Sequence, residues 1–337
     1  MNTVSEWIAK GWGSAADRLP AMRPSYPAVA VEIGPEAAVL ARVRRKRGGA
    51  CELEAHHERT LPDVGNGAGA FRPALGGTEE VAERVRALLE ASGTKPGRIS
   101  VLIPDSLAKV SIVHLPVRPP TRKQLEEILR FRLRRTLPFR LEEAALSYQV
   151  LPGAPEGVDL LVVVVRKAVV EQYEAVLSAA GARPGLVDLC TPNLFNLVRS
   201  RMGELDAQGS DVGLLNCAPG YFSFLVTRAG RLIFYRCKPL AGLDSEGEDP
   251  DELLWRELAS SLAYHREKLE GAVLSTVLVR TVTRPMEEVF ERLRGFGVDH
   301  VEAVDPTRAL VLPQGVRIDP AVAQRIAPAV GAAMGRG

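Results

Sequence analysis

One supersecondary unit occurs twice in this chain, at Pro27–Leu61 and again at residues 211–236. Each copy reads as an apolar strand, a tight turn, an alternating second strand, a polar turn and a third strand. The tight turns are Ile33-Gly34-Pro35 in the first copy and Ala218-Pro219-Gly220 in the second. A helical segment follows each copy. Strands alternating with helices bury the helices on sheet faces, so the repeat predicts an α/β protein with two related lobes.

The length of 337 residues is ample for two lobes. A net charge of +2, with 25% charged and 46% apolar residues, describes an ordinary globular chain and gives no reason to expect nucleic acid. Cys51, Cys190, Cys217 and Cys237 are widely spaced and form no CxxC pair, so neither a zinc cluster nor a disulfide framework is expected. The longest aliphatic run, Leu160 to Val165, is far shorter than the roughly 20 residues of a membrane helix and reads as a buried strand. No apolar segment with a cleavage site opens the chain, so the expected location is the cytoplasm, with membrane association only peripheral or through a partner.

In chain order, residues 1–26 form an N-terminal extension in which Trp7, Ile8 and Trp12 at helical spacing make either a loose terminus or a short interfacial helix. After the first unit, Thr78 is placed to cap a helix from Glu79 with Val81, Val85, Leu88 and Leu89 on its apolar face. A compact insert is expected from Arg98 to Leu151. Within it Thr121 caps a helix carrying Leu125, Leu129, Leu133 and Leu137, which Pro138 stops. The polar side of that helix bears Arg130, Arg132, Arg134 and Arg135, either a solvated face or a contact for acidic headgroups or an acidic partner.

A β-α-β-α run from Leu160 to Met202 then implies parallel strands with helices packed on them. In the second half, Asp249, Pro250 and Glu252 make a capping box for a helix with Leu254, Leu258, Leu262 and Leu269 inward. Lobe 1 is thus expected over 27–210, lobe 2 over 211–318, and a small-residue C-terminal tail, frayed in its last turns, over 319–337. His56, His57, His114, His265 and His300 show no ligand spacing, so no metal site is expected. No hydrolase, metalloprotease or P-loop motif occurs.

A duplicated unit of three strands and a helix is how the actin-like fold, a duplicated ribonuclease H-like architecture, is built, with a phosphate loop at the first turn of each copy. Local phrases point the same way. Leu133 to Pro152 (LRRTLPFRLEEAALSYQVLP), Asp159 to Leu189 and the helix from Trp255 to His265, in this order, resemble the PilM family of cytoplasmic, actin-like type IV pilus assembly proteins, related to cytoplasmic domains of type II secretion proteins. The resemblance covers roughly residues 28–310. It implies a two-lobe fold with a small subdomain inserted in lobe 1. The dozen or so residues between Arg236 and Asp249 imply that the matching subdomain of lobe 2 is reduced or missing.

Family members that bind ATP carry an aspartate, a glycine and a small hydroxyl residue in the first loop, where this chain has Glu32, Gly34 and Pro35. The second loop, Asp-x-Gly-x-x-x-Thr in those relatives, corresponds here to Asn216, Ala218 and Phe222, and an adenosine-side Gly-Gly pair to Arg280 and Thr281. Proline has no N–H for a phosphate oxygen, and the lost aspartate is the usual outer-sphere partner of Mg²⁺. Losing about three charge-assisted hydrogen bonds of roughly 1.5–3 kcal/mol each removes most of the roughly 8 kcal/mol behind micromolar binding. Neither ATP nor Mg²⁺ is therefore expected as a cofactor, and no enzyme activity is expected.

The resemblance further implies a scaffold that recruits the cytoplasmic N-terminal peptide of a PilN-like inner-membrane protein and so links the inner-membrane platform and the pilus motor ATPase to the periplasmic part of the machine, with homo-oligomerisation a further option. Leu137, Pro138 and Phe139 are candidates for the peptide-groove wall. Two alternatives stay open at this point. One is an actin-like ATPase or kinase with variant loops, and the other a nucleotide-independent filament former.

Overall fold

In the computed structural model the described residues are 26–62, 75–95, 97–153, 156–206, 209–240, 249–269, 274–313 and 315–335. Trp7, Ile8 and Trp12 lie outside them, as does most of the 62–77 connection. The first repeat is an antiparallel meander of β1 (Val29–Ile33), β2 (Ala37–Arg45) and β3 (Cys51–Thr60). Helix α1 (Thr78–Ala91) follows, its Val81, Val85, Leu88 and Leu89 buried as the spacing predicts. Its cap differs from expectation. Thr78 is already helical, and the N-cap is Gly77 at φ 55°, a left-handed backbone that glycine adopts without a side-chain penalty.

Strand β4 (Arg98–Ile103) pairs in parallel with β1, so the expected insert boundary at Arg98 is corrected. The insert proper consists of β5 (Ala108–Leu115), α2 (Arg122–Leu133), β6 (Ala144–Leu151) and β7 (Val158–Arg166). Its three-stranded antiparallel sheet has the order β5-β7-β6. The Leu160–Val165 run therefore lies at the centre of the insert rather than in the parallel sheet. A strand buried on both faces looks the same in either setting, because pairing is decided by distant segments. Thr121 does cap α2, accepting from the Gln124 N–H at 3.3 Å. Leu125, Leu129 and Leu133 pack on Tyr148, Leu160 and Val162. The helix ends at Leu133, one turn before Leu137, and Thr136 folds back through its N–H and hydroxyl to the Leu133 carbonyl.

The chain returns through α3 (Lys167–Ala179), β8 (Arg183–Leu189) and α4 (Cys190–Asp206). The second repeat forms β9 (Asp211–Ala218), β10 (Tyr221–Arg228) and β11 (Arg231–Pro239). It is followed by α5 (Pro250–Lys268), β12 (Leu274–Thr281), α6 (Met286–Gly295) and β13 (His300–Ala303). This sheet has the order β11-β10-β9-β12-β13, with α5 and α6 in its core cluster. The side chain of Asp249 accepts from the Asp251 N–H, and Pro250 occupies the first turn of α5.

The last two elements leave lobe 2. β14 (Leu310–Val311) pairs with β3, completing the sheet β14-β3-β2-β1-β4-β8. The expected tail at 319–337 is instead α7 (Pro320–Met334), buried along most of its length. With α4 it fills the space between the sheets, against Ala30, Val39 and Ala41 of one and Val212, Leu214 and Leu278 of the other. Small residues here mark close approach rather than fraying. A Cβ built on Gly331 falls 2.1 Å from the Asn193 carbonyl oxygen of α4. Gly331→Ala should therefore cost about 1–3 kcal/mol by forcing the helices apart, whereas Gly203→Ala, on the open side of α4, should be neutral or stabilising by up to about 1 kcal/mol. Urea denaturation of both variants distinguishes a close crossing from a loose tail.

Candidate functional site

Three central strands, β1, β9 and β12, carry polar residues toward the seam between the lobes. β1 and β9 read as almost wholly apolar, so Glu32 and Asn216 are costly there unless paired. Their common partner is Arg280 of β12, only 2% exposed. Its Nη2 donates to Glu32 Oε1 at 3.3 Å and Oε2 at 3.4 Å, and its Nη1 to Asn216 Oδ1 at 3.0 Å. Its Nε donates to the Gln324 carbonyl at 2.9 Å. That carbonyl is free because Pro328, four residues on in α7, has no N–H to offer it. The Gln324 side chain completes the joint, accepting from the Thr281 N–H at 3.2 Å and donating to the Val304 carbonyl at 2.5 Å.

A second carboxylate lies beside this clasp. Asp105, in the turn after β4, is fully buried. It accepts from the Thr191 N–H at 3.1 Å, the Ser223 hydroxyl at 2.7 Å and the Tyr235 hydroxyl at 3.2 Å, so residues of lobe 2 hold an acid of lobe 1. Asn216 Nδ2 donates to Thr191 Oγ1 at 2.8 Å and joins the two groups. Burial pushes the Glu32 and Asp105 carboxyls up, with the Arg280 guanidinium pulling Glu32 partly back. Burial is the strongest single influence on Arg280 and acts to lower it, but the charge and hydrogen bond of Glu32 together with its other neighbours outweigh it and raise the guanidinium above its ordinary value.

At the mouth of the seam, Glu32, Gly34, Pro35, Ala218, Tyr221 and Arg280 line a cavity of ≈ 120 Å³. That is small beside the roughly 300–1,000 Å³ of clefts for drug-sized ligands. The Gly34 N–H is used within its own turn, donating to the Ala37 carbonyl at 3.0 Å, and Pro35 and Pro219 have none to offer. Glu32 is ion-paired to Arg280 rather than free for an outer-sphere metal contact.

The structure thus brings Glu32, Gly34, Pro35, Asn216, Ala218, Arg280 and Thr281 to one seam. It leaves out Phe222, whose buried ring lies in the core of lobe 2. Asp105, Thr191, Ser223, Tyr235 and Gln324 were not singled out by sequence reading. The signal for Asp105 was an acid and a proline directly after an apolar strand. Two histidines without recognised partners also have them. His265 Nε2 lies 2.5 Å from buried Asp211 Oδ2, which Arg228 also grips at 2.8 Å, and His114 Nδ1 lies 2.8 Å from Asp159 Oδ1. Burial alone would raise the Asp211 carboxyl, but hydrogen bonds from Arg228 and His265 hold it below the usual aspartate range.

Leu137, Pro138 and Phe139 form the turn after α2. Leu137 and Phe139 are half-buried against the insert core, and Arg166 sits 4.8 Å over the Phe139 ring. Arg130, Arg132, Arg134 and Arg135 are exposed, with Arg132 Nη1 donating to the His114 carbonyl at 2.8 Å.

The model of the family described as type IV pilus assembly protein PilM matches residues 31–246. No curated protein matches the sequence. Among solved structures, a chain of a PilM–PilN type IV pilus biogenesis complex is similar at 21% identity and a TM-score of 0.73, over 91% of this chain and 96% of that one. The cytoplasmic domain of EpsL, an inner-membrane component of the type II secretion system of Vibrio cholerae, is similar at 14% identity and a TM-score of 0.48, over 88% and 92%. A protein of unknown function with an actin-like ATPase fold from Bacteroides thetaiotaomicron is similar at 9% identity and a TM-score of 0.49, over 86% and 94%.

Removing the guanidinium strands a buried carboxylate and frees buried acceptors. Arg280→Ala should therefore lower the free energy of unfolding by about 3–5 kcal/mol in chemical denaturation. A loss under about 1 kcal/mol would mean the clasp is incidental to the fold.

Proposed function

The chain belongs to the PilM family of type IV pilus assembly proteins and has its actin-like fold, and from this we propose that it works as a scaffold that has dispensed with nucleotide. In this reading it sits in the cytoplasm at the inner face of the inner membrane. There it binds the N-terminal cytoplasmic peptide of a PilN-like protein and links that membrane platform to the assembly motor. Support for the partner comes from the similar solved structure, which is of a PilM–PilN complex. Among the described residues no helix is long and apolar enough to cross a membrane, so recruitment by a membrane-anchored partner suits this fold.

The observation that carries the scaffold reading is the Arg280 guanidinium. It bridges Glu32 and Asn216, the residues that stand in the two phosphate loops, and draws α7 into the same joint. A nucleotide in that position would have to break the ion pair and compete with a carboxylate for the Arg280 guanidinium. The lobes are then held together by the protein itself, and the partner surface is formed whether or not ATP is present. The peptide groove is assigned between the insert and lobe 1, with Leu137, Pro138 and Phe139 on its wall. An extended peptide gains affinity there from main-chain hydrogen bonds and specificity from apolar pockets.

Isothermal titration with Mg-ATP, followed by titration with the partner peptide, tests both halves. No saturable heat is expected up to about millimolar nucleotide, and peptide binding should be the same with and without it. Tight ATP binding would revive the ATPase reading. Phe139→Ala should weaken peptide binding severalfold while the protein stays folded by circular dichroism; unaltered peptide affinity would remove that turn from the groove.

A further inference from the structure

Six large apolar side chains stand exposed among the described residues; Tyr264, Val311 and Val316 lie elsewhere, and the other three gather in one place. Val117 and Phe131 are each 75% exposed and Ile128 is 37% exposed, and all three lie on α2 or the loop that leads into it. The inward stripe of α2 is already satisfied by Leu125, Leu129 and Leu133. Ile128 and Phe131, three residues apart, share a different flank, so they are surplus to the core of the insert. At 75% exposure, Val117 and Phe131 stand out into solvent rather than lining a pocket.

The same element concentrates positive charge. Between Pro116 and Arg140 the only acids are Glu126 and Glu127, and Glu126 is already paired with Arg122 at 2.9 Å. The guanidinium groups of Arg130, Arg134 and Arg135 have no ion-pair partner among the described residues. The whole chain carries a net charge of only +2, so this excess is local.

We propose that the outer face of α2 is a docking surface for an anionic lipid bilayer, with Phe131, Ile128 and Val117 entering the headgroup region and Arg130, Arg134 and Arg135 meeting lipid phosphates. Projecting apolar side chains bordered by arginines suit a soft, planar, negatively charged surface. A peptide ligand would instead call for a concave, pocketed site. The contact adds a second attachment to the membrane and orients the insert toward it. It does not depend on peptide recognition or on the nucleotide reading, because it is formed by this chain alone.

The test is co-sedimentation of the full chain, without any partner, with vesicles of equimolar phosphatidylcholine and phosphatidylglycerol and with vesicles of phosphatidylcholine alone. Binding is expected only to the anionic vesicles and should fall as salt is raised. Phe131→Ser combined with Ile128→Ser should reduce it by about tenfold or more. Combining Arg130→Gln, Arg134→Gln and Arg135→Gln should reduce it by about a hundredfold. All five positions are exposed, so thermal melting of both variants should match the parent chain. Absence of binding to anionic vesicles, or binding that both variants retain, would overturn the proposal. Capture of an acidic protein segment through α2 without vesicle binding would overturn it in favour of a protein partner.

Discussion

A buried guanidinium must find an acceptor for nearly every N–H, and Arg280 finds its set only where the two lobes meet. The acceptors come from β1, β9 and α7, which the chain builds at widely separated times. No one of these elements satisfies the cation alone, so the charge is affordable only in the assembled structure. The dependence runs the other way too. Glu32 and Asn216 sit among mostly apolar neighbours in their strands, and without Arg280 the Glu32 carboxylate and the Asn216 carbonyl oxygen would be buried at a loss. The second cluster, around Asp105, repeats the logic in mirror image, with hydroxyls of lobe 2 gripping an acid of lobe 1.

Helix α7 is what makes this joint possible. Its small residues let it run close to α4, with Gly331 against the Asn193 carbonyl, and so bring Gln324 up to the seam. Pro328 then leaves the Gln324 carbonyl without a helical donor, and Arg280 supplies the missing hydrogen bond. A residue that would be a defect in an isolated helix becomes part of the clasp. At the mouth of the seam closed this way lies a small cavity. Across that seam the lobes are bridged by protein groups, Arg280 on one side and Asp105 on the other.

The two meanders were legible in the sequence because period-two patterns and Gly/Pro turns are local signals, and β1–β3 and β9–β11 lie where those signals put them. The family was legible from ordered phrases such as LRRTLPF. Sheet membership was not. RISVLI and LLVVVV are both apolar runs, yet β4 lies in the main sheet and β7 at the centre of the insert, because long-range pairing leaves no mark on the strand itself. Helix α7 was legible only as a small-residue tail, since Ala and Gly carry little hydrophobic signal while permitting the closest packing. Glu32, Asn216 and Arg280 could be noticed only as departures from a binding motif. That the three departures compensate one another is a fact of tertiary structure, and the sequence held no spacing rule that joins residues so far apart.

The central claim is that side chains, rather than a ligand, hold the lobes in one arrangement. Pulsed electron-spin distance measurement between labels placed at Glu90 of α1 and Glu291 of α6, with Cys237 replaced by serine, addresses it directly, because both sites are exposed and lie on different lobes. The account predicts a single narrow distance that saturating Mg-ATP does not move and that Arg280→Ala broadens. A distance that shifts or sharpens with Mg-ATP in the parent chain, or that is indifferent to the loss of Arg280, would contradict it.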